Sequence, residues 1–221
     1  MNQFKPLKTN DKDEGIAKLI VEVRRSGVKD PRILLSMESV PRDLFIPKTF
    51  QKKTYDDVAL PIGFHQTVSQ PSIVGRMTEA LDVGDRMKVL EVGTGSGYQS
   101  AILSHLCRRL YTIERHPPLL KQAEARFKQL RLTNITSLLG DGSLGWPDQS
   151  PFDRIMLTAA AIDIPAQLVS QLAIGGTMII PVGLDENDQR LIRLTKHNNG
   201  ADTEDLGSVR FVPLLPGVEL E

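Results

Sequence analysis

One cysteine, Cys107, stands in the whole chain, which excludes an intramolecular disulfide and any metal site built from several cysteines. An excess of either charge is also missing. Lys plus Arg total 27 and Asp plus Glu total 27, so the formal net charge is zero. Proteins that work on nucleic acid usually carry a basic surplus, because phosphate neutralisation supplies most of that affinity. No stretch is long and apolar enough to span a bilayer, and the opening Met-Asn-Gln-Phe-Lys-Pro-Leu-Lys lacks the apolar core of a secretory leader. The expectation is a cytoplasmic protein with neither a membrane nor a nucleic acid as partner, and with no bound metal. Internal repeats and low-complexity tracts are absent as well.

What is present suits one α/β domain: 221 residues, 40% hydrophobic and 24% charged. Ile16, Leu19, Ile20 and Val23 recur at helical spacing, with Gly27 as a stop. Asp30-Pro31 reads as an N-cap followed by proline at the first helical position, opening a helix to about Ser39. Residues 41–70 show no periodicity, and so long a loop tends to be functional. Gln70-Pro71 starts a third helix. From Arg86 onward short apolar runs alternate with helical ones. Strands are predicted at 87–92, 110–113, 135–139, 155–158 and 177–182, with helices between, one of them carrying Cys107 as a packing thiol. That alternation means a doubly wound, mostly parallel Rossmann-like sheet. Two strand-like runs, 190–195 and 209–214, joined by a polar turn, predict an antiparallel pair at the far edge. The whole of 1–221 reads as a single domain: helices and an active-site loop (1–85), a cofactor-binding βαβ core (86–183) and C-terminal strands (184–221).

The first strand runs into Glu91-Val92-Gly93-Thr94-Gly95-Ser96-Gly97 and then a helix. Glycines there let the backbone turn tightly and approach a ligand. A nicotinamide fingerprint would space them Gly-x-Gly-x-x-Gly around a pyrophosphate. Here the spacing is Gly-x-Gly-x-Gly, Tyr98 follows, and an acid stands in front, which suits a cofactor with a cationic amino-acid end and no phosphate. Glu114 ends the second strand, placed to accept ribose hydroxyls, and Asp141-Gly142 ends the third, placed to accept from an adenine amino group. Three strand-end acids around one glycine loop point to S-adenosylmethionine, with Glu91 serving its ammonium through water.

Other blocks narrow the reading. Residues 40–47 (Val-Pro-Arg-Asp-Leu-Phe-Ile-Pro), 60–71 with Gln66-Thr67-Val68-Ser69-Gln70-Pro71 at their end, 140–146, 175–183 and 209–214 occur in the order found in protein-L-isoaspartate O-methyltransferases, which the chain resembles over roughly residues 15–215. The resemblance implies methyl transfer from S-adenosylmethionine to the free α-carboxylate of isoaspartyl residues in damaged proteins and peptides, initiating repair through a succinimide. It implies that Ser69 is the active-site residue and contacts the cofactor, that Ile62, Gly63, Phe64, His65 and Thr67 line the cofactor's methionine end, and that Phe211, Val212 and Pro213 hold the substrate backbone. The chain departs from the family at Ser72, where an aromatic residue or histidine is common, and at the variable Phe64-His65 pair. Ser69 also reads as a helix N-cap. Three alternatives stand beside this reading: a methyltransferase of the same fold acting on a small molecule or nucleic acid, a non-catalytic S-adenosylmethionine-binding module, and a nicotinamide oxidoreductase. Thr158-Ala159-Ala160-Ala161 stands after the fourth strand in place of an amino-methylating Asn/Asp-Pro-Pro-Tyr motif.

Overall fold

The computed structural model describes residues 9–219 except 186. Two helices open it, α1 (Thr9–Arg25) and α2 (Pro31–Ser39), and α3 (Pro71–Leu81) follows a long connection. α2 starts as its sequence requires. The Asp30 carboxylate accepts the Arg32 N–H at 2.8 Å, and Pro31 fills a position where no N–H is needed. The connection itself is structured. Two 3-10 turns (Arg42–Phe45 and Lys48–Lys53) lead into a hairpin of β1 (Leu60–Gly63) and β2 (Gln66–Val68). Nothing in the sequence marks this hairpin. Its turn is Phe64-His65, both left-handed at φ 53° and 55°, where such turns usually announce themselves with Asn-Gly.

The main sheet begins with β3 (Lys88–Val92), β4 (Arg109–Glu114), β5 (Ile135–Leu139), β6 (Phe152–Leu157) and β7 (Leu172–Val182), with α4 (Tyr98–Ser104), α5 (Pro117–Gln129) and α6 (Ala166–Gln171) between them. These five strands are parallel, in the order β5-β4-β3-β6-β7. Alternate residues feed opposite faces, as a period of two demands. Val89, Met156 and Ile179 join the core beneath α1–α3, while Leu90, Ile155 and Met178 join the core that includes Leu168 of α6. Strand order reverses at β3, and such a reversal leaves a crevice at the carboxyl ends, where ligands bind in sheets of this kind.

Two expectations need correction. α4 stops at Ser104, so Cys107 lies beyond the helix. It is buried, and burial pushes its thiol up to about 12, which leaves it unreactive. The antiparallel pair exists, but as β8 (Gln189–His197) and β9 (Gly200–Val209), so the expected strand at 209–214 is displaced. β9 is an edge strand whose residues 200–205 are all exposed, so no hydrophobic pattern betrays it, and the two-residue turn Asn198-Asn199 fixes its register. Residues 210–214 instead leave the edge and return to the carboxyl end of β6. There the Ala160 N–H donates to Val212 O at 2.8 Å and the Leu214 N–H donates to Ala160 O at 2.7 Å.

Candidate active site

The glycine loop turns directly off β3. Gly93 has φ 98°, and a Cβ there would stand 2.3 Å from Thr158 Oγ1, the hydroxyl that donates to the Gly93 carbonyl at 2.6 Å. Gly97 caps α4 at φ 87°, with the Phe127 ring where its Cβ would be. Neither position admits another residue without moving the loop. Over this loop lies an open cleft at the carboxyl ends of the strands, the place where sheets of this kind hold small ligands. Gly93, Thr94, Gly95, Glu114 and Gly142 form its floor and one end. Thr67, Ser69, Val212 and Pro213 form the other. A second hollow adjoins it, and Thr67, Ser69, Thr158 and Val212 belong to both, so Ser69 sits on the wall between the two.

Glu114 lies at the cleft as expected. Its Oε2 accepts the Gly95 N–H at 2.7 Å, and its Oε1 accepts the N–H groups of Arg115 and His116 at 2.9 Å each. The carboxylate therefore fixes the loop and keeps one lone pair, on Oε2, for a further donor. Sequence reasoning gave its neighbour His116 no role. His116 is buried on the cleft wall with an unpartnered Nε2, and its ring packs 5.6 Å from that of Phe64.

The other two acids differ from expectation. Glu91 does not reach the cleft surface. It is 0% exposed and sits behind the loop, where Oε2 accepts from Ser100 Oγ and, at 2.7 Å, from Thr112 Oγ1. Burial raises its carboxyl to about 7 against the opposing pull of those two hydroxyls. Thr112 in turn lies 2.7 Å from Thr94 Oγ1, which does line the cleft, and Glu91 Oε1 has no partner. Asp141 is taken up by the protein. Oδ1 accepts the Ser143 N–H and hydroxyl at 2.9 and 2.6 Å, and Oδ2 accepts the Gly217 N–H at 2.6 Å. Burial opposes its ionisation, but the bonds from Ser143 and Gly217 and the charge of Arg115 outweigh that and hold the carboxyl below its ordinary range.

The hairpin residues divide. Thr67 lines the cleft, and Ile62 reaches over the loop, its Cδ1 3.5 Å from where a Gly95 Cβ would point. Gly63, Phe64 and His65 form the exposed tip, from which the Phe64 ring packs against His116 of the cleft wall. Phe211 is buried, with its N–H donated to Gln189 Oε1 at 2.6 Å and its carbonyl accepting from Gln189 Nε2 at 3.0 Å, so its backbone is spoken for while Val212 and Pro213 face the cleft. Ser69 is not the cap of α3. Gln70 holds that position, and the Ser72 N–H at the helix start donates instead to Asp57 Oδ1 at 2.8 Å. That leaves the Ser69 hydroxyl free of capping duty.

A doubly wound sheet with a glycine loop at its switch point, an acid at the end of the adjacent strand and an unpartnered buried carboxylate oxygen behind the loop is the architecture of an S-adenosylmethionine-dependent methyltransferase, and the donor set, acids and hydroxyls without a phosphate cradle, fits that cofactor. The comparisons carry this further. The family described as protein-L-isoaspartate(D-aspartate) O-methyltransferase matches residues 14–219. The protein-L-isoaspartate O-methyltransferase of Paramagnetospirillum magneticum is 56% identical over 207 residues, 93% of this chain and 97% of that one. Its counterpart from Rhodospirillum centenum is 55% identical, covering 92% and 93%. A solved protein-L-isoaspartate O-methyltransferase superposes with a TM-score of 0.79 at 25% identity, covering 90% of this chain and 65% of that longer one. A putative one from Plasmodium falciparum, in complex with S-adenosyl-L-homocysteine, superposes with a TM-score of 0.76 at 25% identity, covering 89% and 96%. The chain belongs to the protein-L-isoaspartate(D-aspartate) O-methyltransferase family. Its activity is S-adenosylmethionine-dependent methylation of L-isoaspartyl residues in proteins.

Proposed function

We propose that Ser69 holds the isoaspartyl α-carboxylate in line for methylation, with Val212 and Pro213 beside the substrate backbone and the glycine loop, Thr67 and Glu114 around the cofactor. The observation that carries this is the position of Ser69 on the wall shared by the two hollows, with no capping role to occupy its hydroxyl. An isoaspartyl residue forms when the backbone is rerouted through an aspartyl side chain, which leaves its α-carboxylate free. That group has an ordinary pKa of roughly 3–4, so it is ionised at neutral pH and needs no base. S-adenosylmethionine, when bound, supplies the sulfonium methyl. The protein's task is to orient one carboxylate oxygen, and orientation of this kind is worth on the order of 7–11 kcal/mol. One hydrogen bond donated by the Ser69 hydroxyl fixes the rotation of the carboxylate and leaves its second oxygen reactive.

Glu91 acts from behind the loop: its ionised form, which a bound ammonium would favour, is linked to the cleft through the hydroxyls of Thr112 and Thr94. Glu114 offers its remaining Oε2 lone pair to a ribose hydroxyl of the cofactor. The ester carbonyl carries methoxide, a better leaving group than the oxygen of a free carboxylate, so the adjoining backbone amide nitrogen attacks it, methanol leaves, and the succinimide that forms is opened by water partly to normal aspartate. That is repair. Isoaspartyl proteins and peptides are the partners. We place the activity in the cytoplasm, with neither nucleic acid nor membrane as partner; the zero net charge supports this, and no described helix is long and apolar enough to cross a membrane.

Paired peptides that differ only in an isoaspartyl or aspartyl linkage test the proposal. The isoaspartyl peptide is expected to be methylated, with the label lost as methanol in mild alkali, and its twin left untouched. Ser69→Ala is expected to lower turnover by about 10²-fold, the scale of a misplaced reactant, with the melting temperature unchanged. Equal reaction of both peptides, or full turnover by Ser69→Ala, overturns it.

A further inference from the structure

The core between the hairpin and α4 contains a charge that catalysis, as described above, does not use. Arg42 is 1% exposed, and no carboxylate pairs with it among the described residues. Burying a guanidinium without an ion partner is costly, and arginine cannot escape by losing its proton. A methionine would fill the same space at no such cost. What the guanidinium adds is its fork of donors. Nε donates to the Thr54 carbonyl at 3.0 Å and Nη2 donates to the Ser69 carbonyl at 2.9 Å, while the plane rests 4.5 Å from the centre of the Tyr98 ring.

Each of these contacts has a reason. Ser69 lies past the end of β2 and before the start of α3, so its carbonyl has no partner in either ladder and needs a donor from elsewhere. Arg42 provides it from 27 residues earlier in the chain. Thr54 is equally irregular, and beside it Asp57 reaches across to hold the Ser72 N–H. Residues 42, 54 and 57 therefore brace the peptide of Ser69 and the turn after it from one side. Tyr98 closes the other side. It is the first residue of α4 and lines the cofactor cleft, so the guanidinium is wedged between the serine's backbone and the helix that carries the glycine loop.

We propose that Arg42 is a positioning residue for Ser69: by binding the Ser69 carbonyl it fixes the peptide so that the hydroxyl faces the cleft at a constant distance from the glycine loop. The proposal rests on the reading of Ser69 as the group that orients the carboxylate. Arg42 touches neither substrate nor cofactor.

The test is a double-mutant cycle in the full chain, Arg42→Lys against Ser69→Ala, read as kcat and KM for an isoaspartyl peptide, affinity for S-adenosylhomocysteine by calorimetry, and melting temperature. A lysine at 42 keeps the charge but cannot reach two carbonyls with a planar fork. Arg42→Lys is expected to lower kcat at least tenfold, with S-adenosylhomocysteine affinity within twofold of the parent. The double variant is expected to be no slower than Ser69→Ala alone, because Arg42 acts through a hydroxyl that is no longer there. A merely structural arginine lowers the melting temperature and leaves kcat per folded molecule intact; that result, or losses that multiply in the double variant, overturns the proposal. If Arg42→Lys does not accumulate folded, Arg42→Gln, which keeps two N–H donors, carries the same measurements. A chain that folds with neither assigns Arg42 to stability alone and also overturns it. Full turnover by Ser69→Ala itself brings down the reading of Ser69, an outcome distinct from wild-type kcat in Arg42→Lys beside a slow Ser69→Ala.

Discussion

Asp141 Oδ2 accepts the Gly217 N–H at 2.6 Å across 76 residues of sequence, and so ties the chain's tail to the end of β5. The tail reaches that point from β6, where Leu214 bonds Ala160, and Arg115 at the end of β4 holds it: Nη2 and Nε donate to the Pro216 and Gly217 carbonyls at 3.4 and 3.2 Å, and beyond Gly217 the Glu219 N–H donates to Arg115 O at 3.0 Å while its carboxylate pairs with Arg115 Nη1 at 2.8 Å. In the order β5-β4-β3-β6, a segment fastened to β6 at one end and to β4 and β5 at the other must cross the carboxyl end of β3, where the glycine loop and the cleft lie. Leu214 and Leu215 line that cleft.

Loosening the tail should therefore speed cofactor exchange. Gly217 sits at φ 75°, which proline cannot adopt, and proline has no N–H for Asp141. Gly217→Pro is expected to release labelled S-adenosylhomocysteine roughly tenfold faster, the scale of one lost hydrogen bond of about 1–1.5 kcal/mol. Filtration of the preloaded enzyme, chased with excess unlabelled ligand, measures it. An unchanged release rate would show that the tail lies beside the ligand and does not retain it.

Glu91 predicts a dependence on pH. Burial first, against the bonds from Ser100 and Thr112, lifts its carboxyl from the ordinary 4.5 to about 7. A raised pKa means that the folded state holds the proton more tightly than the unfolded state. Its contribution to stability is complete below about 4.5 and is lost as pH rises through 7. Glu91→Gln keeps the shape and carries no charge at any pH. In the cofactor-free protein the variant is expected to gain on the parent between pH 5 and 8, by on the order of 3 kcal/mol at the upper end. Melting temperatures across that range check it, and a constant difference between the two proteins refutes it.

Glu114 holds the loop and, on the reading proposed above, the ligand as well. Glu114→Ala strips the acceptor from the N–H groups of Gly95, Arg115 and His116. It is expected to weaken S-adenosylmethionine binding by roughly 1–3 kcal/mol, the range for a lost charge-assisted bond. Glu114→Gln, which keeps one acceptor oxygen, should recover part of the loss. Calorimetry that finds the alanine variant binding as the parent does would remove Glu114 from the cofactor site.

The parallel core was legible in the sequence because its signals are local. Apolar runs such as Val89–Val92 alternate with helical segments, and glycines mark where φ must turn positive, as at Gly93 and Gly97. The cleft position of Glu114, Thr67 and Ser69 followed from strand ends and from the block around Ser69. What tertiary structure decided was where side chains spend their hydrogen bonds. Glu91 and Asp141 stand near the carboxyl ends of β3 and β5 and look alike in sequence, but one is enclosed by Ser100 and Thr112 and the other is occupied by Gly217, partners set by packing and by a tail far away in the chain. The β1–β2 hairpin and β9 escaped for a related reason. The Phe64-His65 turn is held left-handed by its surroundings, not by residue type, and β9 shows no apolar period because its first six residues face only water. Sequence periodicity records which surfaces are withdrawn from solvent. It carries no record of which donor meets which acceptor once the chain has closed on itself.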